Sequence, residues 1–189
     1  MNLKRLWLTI RLWTIPEAEM RAEYLKKKHI FAAFGDSCSW MQRTVPIYPG
    51  LVKIGNNVHT ATNVSLVPHD VTHNVVNGYL ESNGTDRKVI EKVGCIEIGD
   101  NVFIGAGSRI LYDVRIGNNV IIGANSLVTK DIPSNSVVGG VPARYISSFE
   151  DFVCKRLMEE IPPNYEKEGL NKEVQSWLWK SFYKKREKE

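Results

Sequence analysis

With 189 residues, 43% of them hydrophobic and 24% charged, the chain is long enough for one domain with appendages and too apolar to be disordered throughout. Much of its net charge of +4 gathers in two short runs, Lys26–Lys28 and Lys184–Arg186; these read as solvated helix faces or tails, and no nucleic-acid partner is expected. Cys38, Cys95 and Cys154 are odd in number, far apart and without metal-type spacing, which argues against a disulfide framework and for a reducing cytoplasm.

The first fifteen residues, MNLKRLWLTIRLWTI, are apolar with interspersed bases. Arg11 interrupts the stretch, which is too short to span a bilayer and lacks the features of a signal peptide. It reads as an amphipathic helix packed on the domain. The alternative is weak contact of residues 1–13 with a membrane surface, Trp7 and Trp13 at the interface and Lys4, Arg5 and Arg11 toward headgroups. Pro16 then opens a second helix, PEAEMRAEYLKKKHI, with acids before bases.

After an irregular first unit, Phe34 to Trp40, a period of six begins. Tyr48, Ile54, Thr60 and Leu66 are six apart, with Val52, Val58 and Val64 four residues after the first three; Thr60 is the weakest member. The period resumes at Ile98, Ile104, Ile110, Ile116, Ile122 and Val128. A companion series follows four residues later: Val102, Ser108, Val114, Val120, Ser126 and Ile132. Gly99, Gly105, Gly117 and Gly123 each follow a first position. Helices repeat every 3.6 residues and strands every two, so neither explains this spacing. A very short strand followed by a tight turn does. Three such units make one triangular coil, with first-position side chains stacked inside and Gly or Asn beside them shaping the corner.

The interval from Leu66 to Ile98 is not a multiple of six, so residues 67–93 leave the coils as a projecting loop. Toward the end, Ser148 caps a helix, SFEDFVCKRLMEE, that Pro162-Pro163 stops. Asn171 caps a last helix with Val174, Trp177, Leu178 and Phe182 at helical spacing, a candidate cover for the open end of the coils. The expected parts are a helical segment over 1–33, a coil domain over 34–147 with 67–93 inserted, and a helical extension over 148–189.

The ladder and the run VTKDIPSNSVVGGVPARYI (128–146) resemble the hexapeptide-repeat acyltransferases, above all the galactoside, maltose and polysaccharide O-acetyltransferases. The resemblance spans roughly residues 45–147. It implies a mainly β fold, a left-handed parallel β-helix with helices at both ends. The spacing alone gives a prism of either hand. The resemblance also implies a homotrimer with active sites between subunits, acetyl-CoA as co-substrate and no metal requirement. The acceptor it implies is a small-molecule or saccharide hydroxyl.

Acetyl transfer to a hydroxyl needs a base, an oxyanion donor and two substrates held in line. Of four histidines, His29 follows a lysine run and is expected at the surface, and His59 at a solvated corner. His69 and His73 stand in the projecting loop. The resemblance makes His69, which follows Asn63-Val64-Ser65-Leu66 after two intervening residues, the base, with His73 as a second candidate near the acceptor. It places Phe103, Ala106 and Ala124 along the pantetheine arm, Thr129 and Lys130 near the adenosine end, and Arg144 on a CoA phosphate. Ser147 stands where relatives often carry a second Arg. Other readings are N-acetylation of an amino sugar, a non-catalytic scaffold, and a zinc carbonic anhydrase built on His59, His69 and His73.

Overall fold

The six-residue spacing becomes three parallel sheets in the computed structural model, which describes residues 3–162, 165 and 170–187. The chain divides into two compact units, Met1–Phe152 and Val153–Glu189.

Helices α1 (Leu3–Thr14) and α2 (Ala18–Lys27) open the first unit. Leu12, Ala22 and Leu25 join the main core with Phe31, Cys38 and Trp40. Arginines fasten this segment. Arg21 is buried, and its guanidinium donates to the carbonyls of Trp40 (2.8 Å), Ile15 (2.8 Å) and Pro16 (2.9 Å). Burial, then the neighbouring Arg43, lowers its pKa. Carbonyl acceptors let this cation sit in the interior without a carboxylate. His29 is exposed, as expected, in the left-handed conformation that follows α2 (φ 49).

The strands are short: β1 (Ala33–Phe34), β2 (Ser39–Trp40), β3 (Val52–Ile54), β4 (Val58–Thr60) and β5 (Ser65–Val67). After an excursion containing β6 (His69–Asp70), α3 (His73–Ser82) and β7 (Lys92–Val93), they resume. Then follow β8 (Ile96–Ile98), β9 (Val102–Ile104), β10 (Arg109–Leu111), β11 (Val114–Ile116), β12 (Val120–Ile122), β13 (Leu127–Val128) and β14 (Ser136–Gly139). One sheet runs β1-β3-β8-β11, a second β2-β4-β9-β12-β14 and a third β5-β10-β13. Successive strands visit the sheets in turn, and every third strand returns beside its predecessor. Partners lie 18 residues apart in the regular part (Ile98 with Ile116, Ile104 with Ile122, Ile110 with Val128). Across the excursion they lie 44 apart (Ile54 with Ile98), so the register closes over the inserted segment as if it were absent.

The first-position ladder is the core: Ile54, Ile98, Ile104, Ile110, Ile116, Ile122 and Val128 are all buried. Thr60 is buried too, its hydroxyl engaged with Gln42 and the Ser39 carbonyl. Ser108 and Ser126 fill the inward series by donating to the Gly123 carbonyl (2.9 and 2.6 Å). Tyr48 departs from the pattern: it is exposed, at the start of a single 3-10 turn, and only its spacing imitates the ladder. After Val128 the phase slips, and Ile132 rather than residue 134 pairs with Ile116.

The corners divide their labour differently from the sequence expectation. The residue three places after the first position takes the positive φ: Asn57, Asn63, Asn101, Gly107, Asp113, Asn119 and Asn125. Glycine takes that conformation freely, and among residues with a side chain the short polar Asn and Asp tolerate it best. Along one corner these asparagines also bond in series, Asn57 to Asn101 (2.9 Å), Asn101 to Asn119 (2.9 Å) and Asn119 to Asn135 (2.8 Å). Gly99, Gly105 and Gly117 beside the ladder serve close approach instead. A Cβ at Gly105 would meet the Ala124 nitrogen at 2.5 Å, and one at Gly117 the Ser134 nitrogen at 2.5 Å. Gly105→Ala is therefore expected to destabilise by about 1–3 kcal/mol through forced separation of two coils, read as a shift in the denaturation midpoint at fixed protein concentration.

A final strand, β15 (Arg144–Ser148), runs antiparallel to β14 and covers its free edge. Ser148 Oγ accepts from the Asp151 amide (3.0 Å) at the start of α4 (Phe149–Leu157), as expected of a cap. In the second unit, Asn171 Oδ1 accepts from the Val174 amide (2.8 Å) and starts α5 (Lys172–Arg186). Of the proposed helix stop, Pro163 lies outside the described residues, as do residues 1 and 2 of the first helix.

Candidate active site

The excursion is not the irregular loop its sequence suggested. β6 and β7 pair antiparallel, His69 opposite Val93 and Asp70 opposite Lys92, and α3 fills the middle. No residue of α3 is buried: its apolar residues Val75, Val76, Tyr79 and Leu80 fall at helical spacing but do not reach the core. Side chains hold the segment instead. Asn77 bonds both the N–H and the carbonyl of Val89 (2.8 and 2.9 Å). Asp70 Oδ1 accepts from the Thr72 hydroxyl and amide (2.6 and 3.0 Å) at the start of α3.

His69 stands where the chain leaves the third sheet. Its Nδ1 is buried and has no hydrogen-bond partner, and the same holds for Nδ1 of His73, the first residue of α3. The Tyr48 ring meets His69 edge-on at 5.4 Å between centroids, and Tyr48 Oη donates to Glu91 Oε2 (2.9 Å). That bond, then desolvation, raises the Tyr48 pKa. Asp70, although adjacent to His69, is engaged elsewhere: Tyr112 Oη donates to Oδ2 at 2.6 Å. The hydroxyls of Thr72 and Tyr112 hold its carboxyl down at about 2, and Asp70 in turn raises the Tyr112 pKa. Lys92 lies over the Tyr112 ring (5.4 Å) and pairs with Asp113 (2.7 Å). Tyr48, Glu91, Asp70 and Tyr112 were not singled out from the sequence as site residues. Tyr112 carried a signal, since its place two after the ladder residue is held elsewhere by Asp100, Ala106, Asn118 and Ala124.

His59 does not occupy a corner. It faces outward from β4, with Nδ1 bonded to Ser39 Oγ (2.9 Å) and Nε2 to Asn57 Oδ1 (2.8 Å). It thus belongs to the second sheet, whereas His69 leaves the third. Phe103 is half-exposed on β9, in register with His59 on one side and Ile121 on the other.

The remaining candidates fall at two ends of the third sheet. Ala106 and Ala124 sit in successive coils at the corner entering it, linked by the Asn125 amide donating to the Ala106 carbonyl (2.7 Å). Thr129 and Lys130 follow β13 at the opposite end, the end from which His69 and Tyr112 also depart, and both are exposed. A three-residue strand advances about 10 Å, so each chain separates its histidine from its own alanine corner by the width of the sheet. Arg144 is exposed on β15 and donates to the Ala143 carbonyl (3.1 Å). Ser147, in the same strand, offers only a hydroxyl.

Comparisons with known proteins agree with this architecture. The bacterial transferase hexapeptide family (six repeats) matches residues 95–130. Protein CapG of Staphylococcus aureus is 36% identical over 158 residues, covering 82% of this chain and 84% of its own. The galactoside O-acetyltransferase of Escherichia coli K12 is 45% identical over 100 residues, 53% of this chain and 45% of that protein. A solved galactoside acetyltransferase in complex with coenzyme A superposes with a TM-score of 0.53 at 28% identity, covering 88% of each chain. Repeat, register and relatives agree: the chain belongs to the hexapeptide-repeat acetyltransferases, a family of acyl-transferring enzymes.

Proposed function

We propose that the protein transfers the acetyl group of acetyl-CoA to a hydroxyl of a sugar or polysaccharide, with His69 as general base. The observation that carries this reading is the buried, unpartnered Nδ1 of His69 at the mouth of the excursion, beside a carboxylate already committed to Tyr112. A base needs a lone pair that nothing else occupies. As the hydroxyl oxygen bonds to the thioester carbon, imidazole takes its proton. The tetrahedral oxyanion then collapses, the carbon–sulfur bond breaks, and the imidazolium returns the proton to the departing thiolate. The products are an O-acetyl ester and free CoA thiol. His73 faces the acceptor in this reading.

The coils are proposed to wind left-handed, as the family relation suggests, and three copies to assemble with sites between them. The placement of His69 and the Ala106–Ala124 corner at opposite ends of one sheet supports this: a cleft between copies joins one chain's histidine to the next chain's alanines. Acetyl-CoA is the co-substrate because relatives that match most of the chain are acetyltransferases, one of them solved with coenzyme A. Phe103, Ala106 and Ala124 would line the pantetheine arm, Ala106 and Ala124 with backbone that no bulky side chain covers. Thr129 and Lys130 would meet the adenosine end, and Arg144 a phosphate.

Release of free thiol from acetyl-CoA across a panel of mono- and oligosaccharides tests the activity, and absence of acceptor-dependent release with every hydroxyl acceptor would overturn it. If only amino sugars respond, the reaction is N-acetylation. Arg144→Ala is expected to raise KM for acetyl-CoA several-fold and leave KM for the acceptor near its original value. Unchanged CoA affinity by calorimetry would remove Arg144 from the cofactor site.

A further inference from the structure

Helix α1 turns one face to the domain and the other to water. Leu8 and Leu12 pack inward. Leu3, Trp7, Ile10 and Trp13 point outward, 68%, 64%, 44% and 67% exposed. They form one stripe along a helix about 18 Å long. The helix is not free to roll and bury them. Arg5 donates to the carbonyls of Val45 and Pro46 (2.8 and 2.9 Å). Arg43 donates to those of Leu12, Trp13 and Ile15 (3.0, 3.0 and 2.8 Å) and lies over the Trp13 ring. Two indoles on a clamped helix constitute a fixed apolar patch.

Beside the stripe runs a groove of about 930 Å³ whose apolar wall includes Trp7, Ile30 and Ile47. Its charged lining residues, Lys4, Arg5, Arg11 and Lys28, are all basic, and no Asp or Glu among the described residues lines it. Helix α1 itself, LKRLWLTIRLWT, carries three cations and no acid. An apolar floor with a wholly cationic rim complements a surface that is apolar below and anionic above. Nucleic acid has no use for the exposed Leu3–Ile10 stripe, and a second copy docked here through the same face would set one basic rim against another. We propose that this face docks on an anionic lipid bilayer. Trp7 and Trp13 then lie at headgroup level, Leu3 and Ile10 below them, and Arg11 and Lys28 against lipid phosphates. No helix among the described residues is long and apolar enough to cross a membrane, so the contact is interfacial.

The test is co-sedimentation of the full chain with vesicles of phosphatidylcholine alone or mixed with phosphatidylglycerol. Binding is expected to the mixed vesicles and at least tenfold more weakly to phosphatidylcholine, and to fade as salt screens the charges. Trp7→Ser with Trp13→Ser should weaken it about tenfold or more. Arg11→Gln and Lys28→Gln should each weaken it by about fivefold, the usual effect of one cation near an anionic leaflet. Affinity for acetyl-CoA should not change, which separates this surface from the acetyl-transfer reading. If the tryptophan pair proves necessary for folding, the two charge variants carry the test. Wild-type protein that ignores both vesicle types overturns the proposal. So do stripe variants that alter the mass in sedimentation equilibrium while vesicle binding is unaffected, because the stripe is then an interface between copies.

Discussion

His69→Ala is expected to lower the turnover of acetyl transfer by at least about 100-fold, the low end of what a placed general base contributes. Fold and acetyl-CoA affinity should survive. His69 belongs to a two-residue strand outside the stacked core, and its Nδ1 makes no hydrogen bond whose loss would expose a stranded partner. The candidate cofactor residues on β9 and after β12 and β13 do not touch the excursion's hydrogen bonds. Turnover under saturating acetyl-CoA, the melting temperature and CoA affinity together check this. A variant that turns over near the wild-type rate would remove His69 from the mechanism. One that loses turnover only by melting would make it a structural residue.

Ile110→Ala is expected to have the largest effect on stability, about 2–5 kcal/mol. Ile110 is fully buried and sits mid-ladder, paired with Leu66 on one side and Val128 on the other. Truncation leaves a gap between two neighbours whose backbones are fixed by the sheet, so collapse around it is limited. In a stack where each coil rests mainly on its neighbours, a central gap weakens two interfaces at once. Denaturant unfolding at constant protein concentration measures this, concentration being held because the proposed assembly would contribute to apparent stability. A loss below about 1 kcal/mol would mean that the coils close on the cavity.

Much of this was legible in advance because the scaffold is periodic. Ile98 through Val128 declare the core, and four-residue companions such as Val102, Val114 and Val120 fill the other inward series. The phase break after Leu66 announced the excursion, and the caps at Ser148 and Asn171 formed as their residue types require. Tyr48 misled because a spacing of six places it in the ladder, whereas the chain there lies outside any strand, between β2 and β3 at the start of a 3-10 turn. Helix α3 was passed over because its short apolar set, Val75, Val76, Tyr79 and Leu80, stands among polar residues and Gly78 in a stretch marked only by the loss of the six-residue period. His69 was reached through the run before it. Its surroundings were not, because Tyr48, Glu91 and Tyr112 approach from three separate stretches of chain. Such convergence depends on register, and the register closes only once the coils are stacked.

The pairing of Ile54 with Ile98 across 44 residues bears on how this protein can diversify. The neighbouring coils grip one another directly, so the length and sequence of what is threaded between them do not set their alignment. A deletion within β8 to β13 would shift every rung above it, but one within residues 74–90 leaves all the rungs where they are. The segment bearing His73 is thus interchangeable hardware on a fixed chassis. On the proposed function, acceptor preference would be rewritten there by insertion or shortening, while the corners that would hold the acetyl donor keep their spacing.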